Sequence, residues 1–347
     1  MHIAIVGAGS VGAYVGGMLT DSGQEVTLID AWQENVEAIR SKGLRLSGTQ
    51  GSRTVQVEAL GISDVQSLTR RPIDVALLAV KSYDTAWMTA LIKDYLAPAG
   101  FIVSMQNGMN EDVIASVVGW GRVVGCVLNT IGVEMTAPGE VMRWMEPAGP
   151  GYHVFRIGEI HGRSTPRVKA IAEVLAAVDN ATVTQNLWGE RWSKLANNAM
   201  ASGIGAIADV GIKEMYSDPN LLRLSIRSVV ETIRVGHGMG LKLEKICGIE
   251  PEVWIETAGA AVPNYVTVEN GIREFEKRIG DAGQPSTLHD IRRGRRTEID
   301  SINGLVAAQA HEVGMSAPIH AALTAIVKDI ESGRTKQGKA ALAHLFQ

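Results

Sequence analysis

The feature that most constrains this chain is a glycine-rich turn close to its start. The turn, called the glycine turn below, consists of Gly7, Ala8, Gly9, Ser10, Val11 and Gly12. It follows a strand-like run and opens a helical one, a setting in which the three glycines permit a tight turn, backbone approach to a pyrophosphate and close helix packing. The phosphates would lie at the helix N-terminus, where N–H groups attract anions. We therefore predict that all six residues bind a dinucleotide; the alternative is an ordinary glycine-rich turn.

Short β-rich runs alternate with helical patterns throughout the first half of the chain. Strands are predicted at residues 2–6, 25–30, 44–46, 55–60, 74–80, 101–105 and 123–127. Helices are predicted between them at residues 11–22, 33–41, 85–96 and 111–118. This alternation is typical of βαβ units and a mostly parallel sheet. A further β-rich stretch at 132–159 has short, proline-containing turns, so we expect it to be antiparallel and to extend the sheet.

The pattern changes near Trp188, after which helices dominate. They are predicted at residues 191–208, 219–237, 251–261, 286–313 and 317–332, with a long loop at 264–284. The predicted class is α/β: a Rossmann-like doubly wound sheet at 1–187 that binds a dinucleotide, followed by an all-helical domain at 188–347 for substrate binding and dimerisation. A chain of 347 residues, 46% of them apolar, can bury two such cores.

Composition narrows the class of partner. The charged fraction is 20% and the formal net charge is −4, so neither a nucleic acid nor a membrane is indicated. The strand-like run from His2 leaves no room for a signal peptide, and no apolar run approaches the roughly 20 residues that span a bilayer. Cys126 and Cys247 stand alone, which predicts inert thiols and no metal site. We expect a cytoplasmic protein that binds a small soluble molecule.

Three positions at predicted strand ends are further cofactor candidates. Asp30 ends the second strand, where a carboxylate accepts hydrogen bonds from a ribose and repels a 2′-phosphate, so it favours NAD over NADP. The nearest basic residues, Arg40 and Lys42, lie on the following helix. Lys81 and Asn107 follow neighbouring strands at the sheet edge where ligands of α/β proteins bind. The alternative to a cofactor role is an exposed aspartate at position 30, a surface lysine at position 81 and a turn-forming asparagine at position 107.

A polar face stands out in the first helix of the second half. Lys194, Asn198 and Ser202 share it at four-residue spacing, within a helix otherwise rich in small and apolar residues. A polar face of this kind lowers the stability of the fold unless it lines a cavity or an interface. The alternative for Lys194 is an ordinary surface lysine exposed to solvent. A second polar segment, residues 286–304, contains four arginines interspersed with acids, which predicts an ion-paired surface and no nucleic-acid patch.

These motifs make the chain resemble the 2-dehydropantoate 2-reductases, also called ketopantoate reductases, over nearly its whole length. The resemblance rests on the glycine turn, on Lys81 and Gln106-Asn107-Gly108, on Lys194-Leu195-Ala196-x-Asn198, and on residues 286–304 with their Arg-Arg-Thr-Glu-Ile-Asp sequence. It implies substrate binding in a cleft between a Rossmann domain and a helical domain. It also implies that Lys194 is the general acid, that Asn198 and Ser286 bind substrate, and that Glu298 lies at the cofactor and substrate.

The implied chemistry agrees with the residue types. Hydride delivery to a keto carbon creates an alkoxide, which needs a positive charge and a proton, and an ammonium group supplies both. A direct pairing of Glu298 with Lys194 is a hypothesis that requires the two segments to converge. The leading function is NAD(P)H-dependent reduction of a 2-keto acid, 2-dehydropantoate to (R)-pantoate for pantothenate biosynthesis, by a homodimer.

Two departures from the family pattern keep alternatives open. Ser202 stands where many ketopantoate reductases carry a second asparagine, and Gly203 replaces a proline. Asp30 is unusual because the resemblance favours NADP. An NAD-dependent D-2-hydroxy-acid dehydrogenase of the D-mandelate type is therefore the second reading, in which Ser202 still binds substrate. A nucleotide-sensing module without turnover is the third, and the presence of Lys194 counts against it.

Overall fold

The computed structural model describes residues 1–257, 262–280 and 283–346. It divides into two compact units, Met1–Leu187 (unit 1) and Trp188–Gln347 (unit 2). Among the described residues, no helix is long and apolar enough to cross a membrane.

Unit 1 contains twelve strands and five α-helices. The strands are β1 His2–Val6, β2 Glu25–Asp30, β3 Leu44–Gly48, β4 Arg53–Val55, β5 Glu58–Gly61, β6 Ile73–Leu78, β7 Leu96–Ser104, β8 Val123–Leu128, β9 Val133–Ala137, β10 Glu140–Arg143, β11 Phe155–Glu159 and β12 Ala181–Val183. The helices are α1 Ser10–Asp21, α2 Gln33–Lys42, α3 Thr85–Ile92, α4 Glu111–Val118 and α5 Pro166–Leu175.

The main sheet has eight strands in the order β12-β11-β8-β7-β6-β1-β2-β5. The six strands from β5 to β8 are mutually parallel, and β11 joins β8 in the antiparallel sense. Strand β1 is buried on both faces: Ile3 and Ile5 belong to one apolar core, and Ala4 and Val6 to another. Two cores on opposite faces are the mark of a doubly wound sheet, so the predicted α/β class is confirmed.

The stretch predicted to extend the main sheet does so only in part. Strands β9 and β10 form the expected antiparallel hairpin, but they belong to a separate four-stranded sheet, β4-β3-β10-β9. Within the predicted stretch only β11 extends the main sheet, where it pairs with β8 in the antiparallel sense. Strand β10 pairs with β3, where Gly48 approaches the Arg143 carbonyl so closely that a Cβ would lie 1.8 Å from its oxygen. The hairpin joins β3 because Val141 is buried in the same core as Leu44 and Leu46.

The secondary structure of unit 2, in its described residues, is mainly helical, and α6 begins at the last residue of unit 1. The helices are α6 Leu187–Ala208, α7 Ile212–Ser217, α8 Pro219–Gly238, α9 Pro251–Thr257, α10 Val262–Ile279, α11 Ser286–Arg292, α12 Asn303–Glu312 and α13 Pro318–Glu331. The helix predicted at 251–261 is confirmed as far as Thr257, and its last four residues lie outside the described part of the chain.

The long loop predicted at 264–284 was wrong for most of its length, since α10 occupies Val262–Ile279. Val268 and Ile272, four residues apart, are fully buried and give this polar sequence an apolar stripe. Gly271 allows a close approach, because a Cβ there would lie 2.3 Å from Ile249 Cδ1. Tertiary packing of one stripe outweighs the polar, glycine-containing sequence. Residues 281 and 282 of the predicted loop are outside the described residues.

The single helix predicted at 286–313 is instead two helices, α11 and α12, separated by a turn. Gly294 has φ +62°, and the Arg295 N–H bonds the Asp290 carbonyl at 2.8 Å. This is the glycine-terminated helix end in which a left-handed residue returns the chain to the last carbonyls. The break separates Ser286, on α11, from Glu298, just before a 3₁₀ turn at Ile299–Ser301.

Candidate active site

The three glycines of the glycine turn have three distinct environments. Gly7 has φ +98°, and a Cβ there would lie 2.6 Å from Val80 Cγ1. A Cβ on Gly12 would lie 1.9 Å from the Gly7 carbonyl oxygen, so only glycine permits this packing. A Cβ on Gly9 would meet nothing within 4 Å. The backbone is therefore open at Gly9, where a pyrophosphate would approach, and the residues present fit a dinucleotide.

The sequence order of the strands puts this turn at the switch point of the sheet. β1 lies between β2 and β6, so the chain leaves it in one direction for β2 and in the other for β6. Helix α1 begins at Ser10, and no side chain caps its first amides. Those N–H groups are the anion-binding ones in folds of this type. Within the turn, Ala8 is buried, and Val11 is partly buried against the core.

Asn35, which the sequence did not indicate, holds the glycine turn from below. Its side chain is fully buried; Nδ2 donates to the Ala8 carbonyl at 3.0 Å, and Oδ1 accepts from the Gly139 N–H at 2.8 Å. The Met135 N–H donates to Ser10 Oγ at 3.0 Å. The β9–β10 hairpin is thereby connected to the turn once directly, at Ser10, and once through Asn35.

Asp30 lies at the end of β2 as predicted. Its Oδ1 accepts from the Trp32 N–H at 2.9 Å, and Asn35 Nδ2 lies 3.5 Å from Oδ2. Burial raises the pKa of this carboxyl above its usual range, and the hydrogen bonds from Trp32, Ala8 and Asn35 oppose that rise. The side chain remains partly exposed at the rim of the sheet.

The loops after β6 and β7 come together, as their parallel pairing requires. Ser82 Oγ donates to the Asn107 carbonyl at 3.2 Å, and Asn110 Nδ2 donates to the same oxygen at 2.7 Å. Gln106 Nε2 donates to the Val80 carbonyl at 2.9 Å. Lys81 and Asn107 are both partly exposed, and they stand on loops locked to each other beside the glycine turn.

Lys194 is a partly buried amine on α6. Burial lowers its pKa from 10.5 to about 8, and the one charged neighbour that opposes this shift is the thiolate form of Cys247. The side chain forms no ion pair with any residue that the structure describes. An amine with a pKa near 8 is mostly protonated at neutral pH and gives up its proton readily, which suits a general acid.

Cys247 was predicted to be an inert thiol, and the structure places it in a tight turn close to Lys194. It has φ +50° in a tight turn bridged by Ile246 and Ile249, and its Sγ lies 3.3 Å from Asn197 Oδ1. Burial raises the pKa of the thiol to about 12, so it stays protonated and unreactive beside Lys194.

The polar face of α6 is continuous, because the helix runs unbroken from Leu187 to Ala208. Lys194 and Asn198 are partly buried, and Ser202, one turn further, is 5% exposed. The next residue, Gly203, brings α6 close to α12, since a Cβ there would lie 3.2 Å from Asn303 Oδ1.

The segments that carry Ser286 and Glu298 both pack on α6. Pro285, which precedes α11, approaches Gly205 so closely that a Cβ there would lie 2.6 Å from its Cγ. Asn303 Nδ2, at the start of α12, donates to the Ala199 carbonyl at 3.4 Å. Ser286 is exposed, whereas Glu298 is only 5% exposed. Both segments therefore contact the second half of α6, at Gly205 and at Ala199.

The direct pairing of Glu298 with Lys194 is not formed, because Glu298 is not among the charges that act on the Lys194 amine. The neighbouring Thr297 N–H donates to Glu331 at 2.6 Å, which ties the Glu298 segment to α13. The four arginines of this segment are exposed as predicted, and Arg292 pairs with Asp209 at 2.9 Å.

A buried polar network that the sequence did not indicate fixes α12 against α8. His320 is fully buried; its Nε2 lies 2.8 Å from the Ser228 carbonyl, and its Nδ1 lies 3.1 Å from Asn303 Nδ2. Donation from Nε2–H to the carbonyl leaves Nδ1 to accept from Asn303. Burial lowers the pKa of His320 to about 4, so the ring is neutral at pH 7. Within the described residues, no group of His, Cys, Asp and Glu is arranged to hold a metal ion.

Comparison with known proteins agrees with this arrangement. Sequence models described as ketopantoate reductase PanE/ApbA and its C-terminal region match residues 3–155 and 186–331. The 2-dehydropantoate 2-reductase of Pyrococcus horikoshii is 30% identical over 335 residues, which cover 96% of this chain and 98% of that protein.

Two solved structures extend the likeness to the fold. A PanE/ApbA family ketopantoate reductase from Ralstonia eutropha is 28% identical with a TM-score of 0.78, covering 96% of this chain and 99% of that one. D-mandelate dehydrogenase, solved with NADH and anilino(oxo)acetate, has the same TM-score and coverage at 23% identity, which makes it similar in fold. The chain belongs to the ketopantoate reductase family.

Proposed function

We propose that this protein is a 2-dehydropantoate 2-reductase, which reduces the keto group of 2-dehydropantoate to give (R)-pantoate with a nicotinamide coenzyme. The observation that carries the proposal is the partly buried Lys194, whose pKa is lowered to about 8 on the polar face of α6. Relatives named 2-dehydropantoate 2-reductase match nearly the whole chain, which supports the same substrate here.

In this proposal Lys194 donates the proton. Its ammonium stabilises the alkoxide that forms at the former keto oxygen and then protonates it. Asn198 and Ser202, on the same face of α6, and Ser286, at the start of α11, donate hydrogen bonds to the carboxylate and hydroxyl groups of the substrate. Glu298 is a catalytic and cofactor-contacting residue that orients the reacting groups without pairing directly with Lys194.

Unit 1 is the dinucleotide-binding domain in this proposal, and unit 2 is the substrate and dimerisation domain of a homodimer. The glycine turn and the first amides of α1 hold the pyrophosphate, while Lys81 and Asn107 contact the cofactor. When bound, the reduced nicotinamide supplies the hydride. No metal takes part in the chemistry proposed here.

We infer that NAD is preferred over NADP, although the family resemblance favours NADP. Asp30 stands where the ribose would bind, and its carboxylate repels a 2′-phosphate. Arg40, a basic residue on the helix that follows Asp30, already has partners. Its Nε donates to the Ala59 carbonyl at 2.7 Å, and its Nη2 forms an ion pair with Asp64 at 2.6 Å. A guanidinium held in this way is not available to neutralise a 2′-phosphate.

A second candidate function is supported by the substrate face. Ser202 is shorter than the asparagine common in the family, and Gly203 replaces a proline, which favours a roomier substrate pocket. An NAD-dependent D-2-hydroxy-acid dehydrogenase of the D-mandelate type follows from that observation.

Steady-state kinetics with two substrates and two coenzymes test both candidates. The purified protein is assayed with 2-dehydropantoate and with benzoylformate, each with NADH and NADPH. The proposal expects the highest kcat/KM with 2-dehydropantoate and NADH. A higher kcat/KM for benzoylformate supports the second candidate, and the absence of oxidation of either coenzyme with both acids refutes the two together.

A further inference from the structure

Unit 2 contains a cavity of about 430 Å³ that the proposed chemistry does not use. Helix α8 lines it with Arg223, Arg227, Arg234 and Glu231, and Tyr265 of α10 closes one side. The volume falls within the range of roughly 300–1,000 Å³ typical of small-molecule sites. We call it the arginine cavity.

The three arginines lie along one stripe of α8. Positions 223, 227 and 234 are separated by four and seven residues, which at 3.6 residues per turn places them within about 40° of one another. Arg223 and Arg227 are therefore stacked one turn apart, and like charges at this spacing repel each other and destabilise a helix. A bound anion would relieve that repulsion.

Backbone amides hold Glu231, the carboxylate among the described lining residues. Glu231 accepts hydrogen bonds from the Ile319 N–H at 3.1 Å and the His320 N–H at 3.4 Å, so it caps the start of α13. The described lining thus contains more arginines than carboxylates, and the charge of Glu231 acts on Arg227 and Arg234. Neither Arg223 nor Arg234 lies within ion-pair distance of a carboxylate in the described part of the chain. Arg227 is held in place, because its Nη1 donates to the Leu345 carbonyl at 2.8 Å.

We propose that the arginine cavity binds a small soluble anion of the phosphate type. Guanidinium groups form paired hydrogen bonds with phosphate oxygens, and three of them line this one concave site, with Arg223 and Arg234 exposed to solvent. The aromatic ring of Tyr265 and the apolar side chains of Ile226 and Val230 form the remaining wall, on which an organic portion of the ligand can pack.

The test is a calorimetric titration of the full chain with inorganic pyrophosphate, at an ionic strength kept constant with sodium chloride. A Gly9→Asp background removes anion binding at the glycine turn; Gly9 has φ −70° and open space around it, so aspartate fits there. We expect saturable binding with one site per chain. The double variant Arg223→Gln/Arg234→Gln should weaken it about tenfold or more.

A matched control removes the same charge from unit 1. Arg70 and Arg163 are exposed there, and Arg70→Gln/Arg163→Gln should leave the pyrophosphate affinity unchanged. Equal weakening by both pairs, or no saturable binding, overturns the proposal. Sedimentation velocity of the same variants covers a further outcome: if the double variant in α8 changes the subunit number and not pyrophosphate binding, the cavity is an interface between copies and the proposal is wrong. The titration measures no turnover, so its result is independent of the proposed function.

Discussion

At the scale of single residues, the environment of Lys194 decides what the protein can do. An amine that is partly removed from water and has no carboxylate partner among the described residues loses part of its affinity for its proton. The same environment is unfavourable for folding, because the charged form is poorly solvated. A polar group held in such a place is typical of catalytic sites, where a lowered pKa serves proton transfer.

Replacement of Lys194 by alanine should lower kcat for keto-acid reduction by about 10²-fold or more, because the proton donor is lost. Lys194→Arg should fail as well, since a guanidinium keeps the charge but does not release a proton. Lys277, an exposed lysine paired with Glu274 on α10, is the matched control, and Lys277→Ala should retain full turnover. Steady-state assays with saturating substrate make the comparison. Full activity of Lys194→Ala would refute the mechanism.

The rate of reduction should fall as the pH rises through about 8. Lys194 acts in its protonated form, which predominates below its pKa of about 8 and declines tenfold per pH unit above it. Cys247→Asp places a carboxylate beside the amine, in a left-handed backbone conformation that aspartate tolerates. The break in the profile should then move to higher pH, while the neutral Cys247→Asn leaves it in place. If the break in the pH profile stays at the same pH in Cys247→Asp, the titrating group is not Lys194.

At the scale of secondary-structure elements, two buried polar side chains fix the loops and helices that carry the site. Asn35 joins α2 to the glycine turn and to the β9–β10 hairpin. His320 joins α13 to α8 and, through Asn303, to α12 and α6. Both satisfy buried hydrogen-bonding groups on several elements at once, and loss of either leaves partners unpaired.

Asn35→Ala should raise the KM for the coenzyme about tenfold and change kcat less, because the glycine turn loses its support while Lys194 is untouched. Asn180 provides the control. Its side chain donates to the carbonyls of Ala148, Gly149 and Tyr152, beside β12 at the far edge of the sheet. Asn180→Ala should lower the melting temperature without a selective effect on the coenzyme KM. Equal effects of the two variants on that KM would show that Asn35 acts only through stability.

Acid should destabilise the fold through His320. Its pKa is about 4 in the folded chain and 6.5 in the unfolded one, so the unfolded chain binds the extra proton first as the pH falls. Stability is therefore fully present above pH 6.5 and is lost between pH 6.5 and 4, by about 3 kcal/mol. Urea unfolding at pH 7 and pH 4.5 measures the change, and His320→Gln, which does not titrate, should show a smaller one.

At the scale of the whole molecule, local patterns could be predicted from the sequence, whereas contacts between distant residues could not. The glycine turn, the strand alternation and the four-residue spacing of Lys194, Asn198 and Ser202 are local, and all of them are present in the structure. The sheet class was predictable for the same reason.

Features that depend on distant partners were not predictable. The partners of Asn35 are 27 and 104 residues away, and His320 meets Ser228 across 92 residues. Helix α10 was missed because its stability comes from burial of Val268 and Ile272 against other helices, and its composition resembles a loop. The division at Leu187 and Trp188 coincides with the change in pattern from alternating strands to helices. The roles proposed for the individual site residues stay predictions until the variants are measured.

The protonated state of the thiol at position 247 has a practical side. Maleimides and iodoacetamide react with thiolates, and a sulfur that releases its proton only near pH 12 offers almost none under ordinary working conditions. The other sulfhydryl, Cys126 on strand β8, is fully buried. The two native cysteines are therefore expected to react little with thiol-specific dyes. One engineered surface cysteine in each unit is then enough for site-selective fluorescent labelling, and the native cysteines can stay in place.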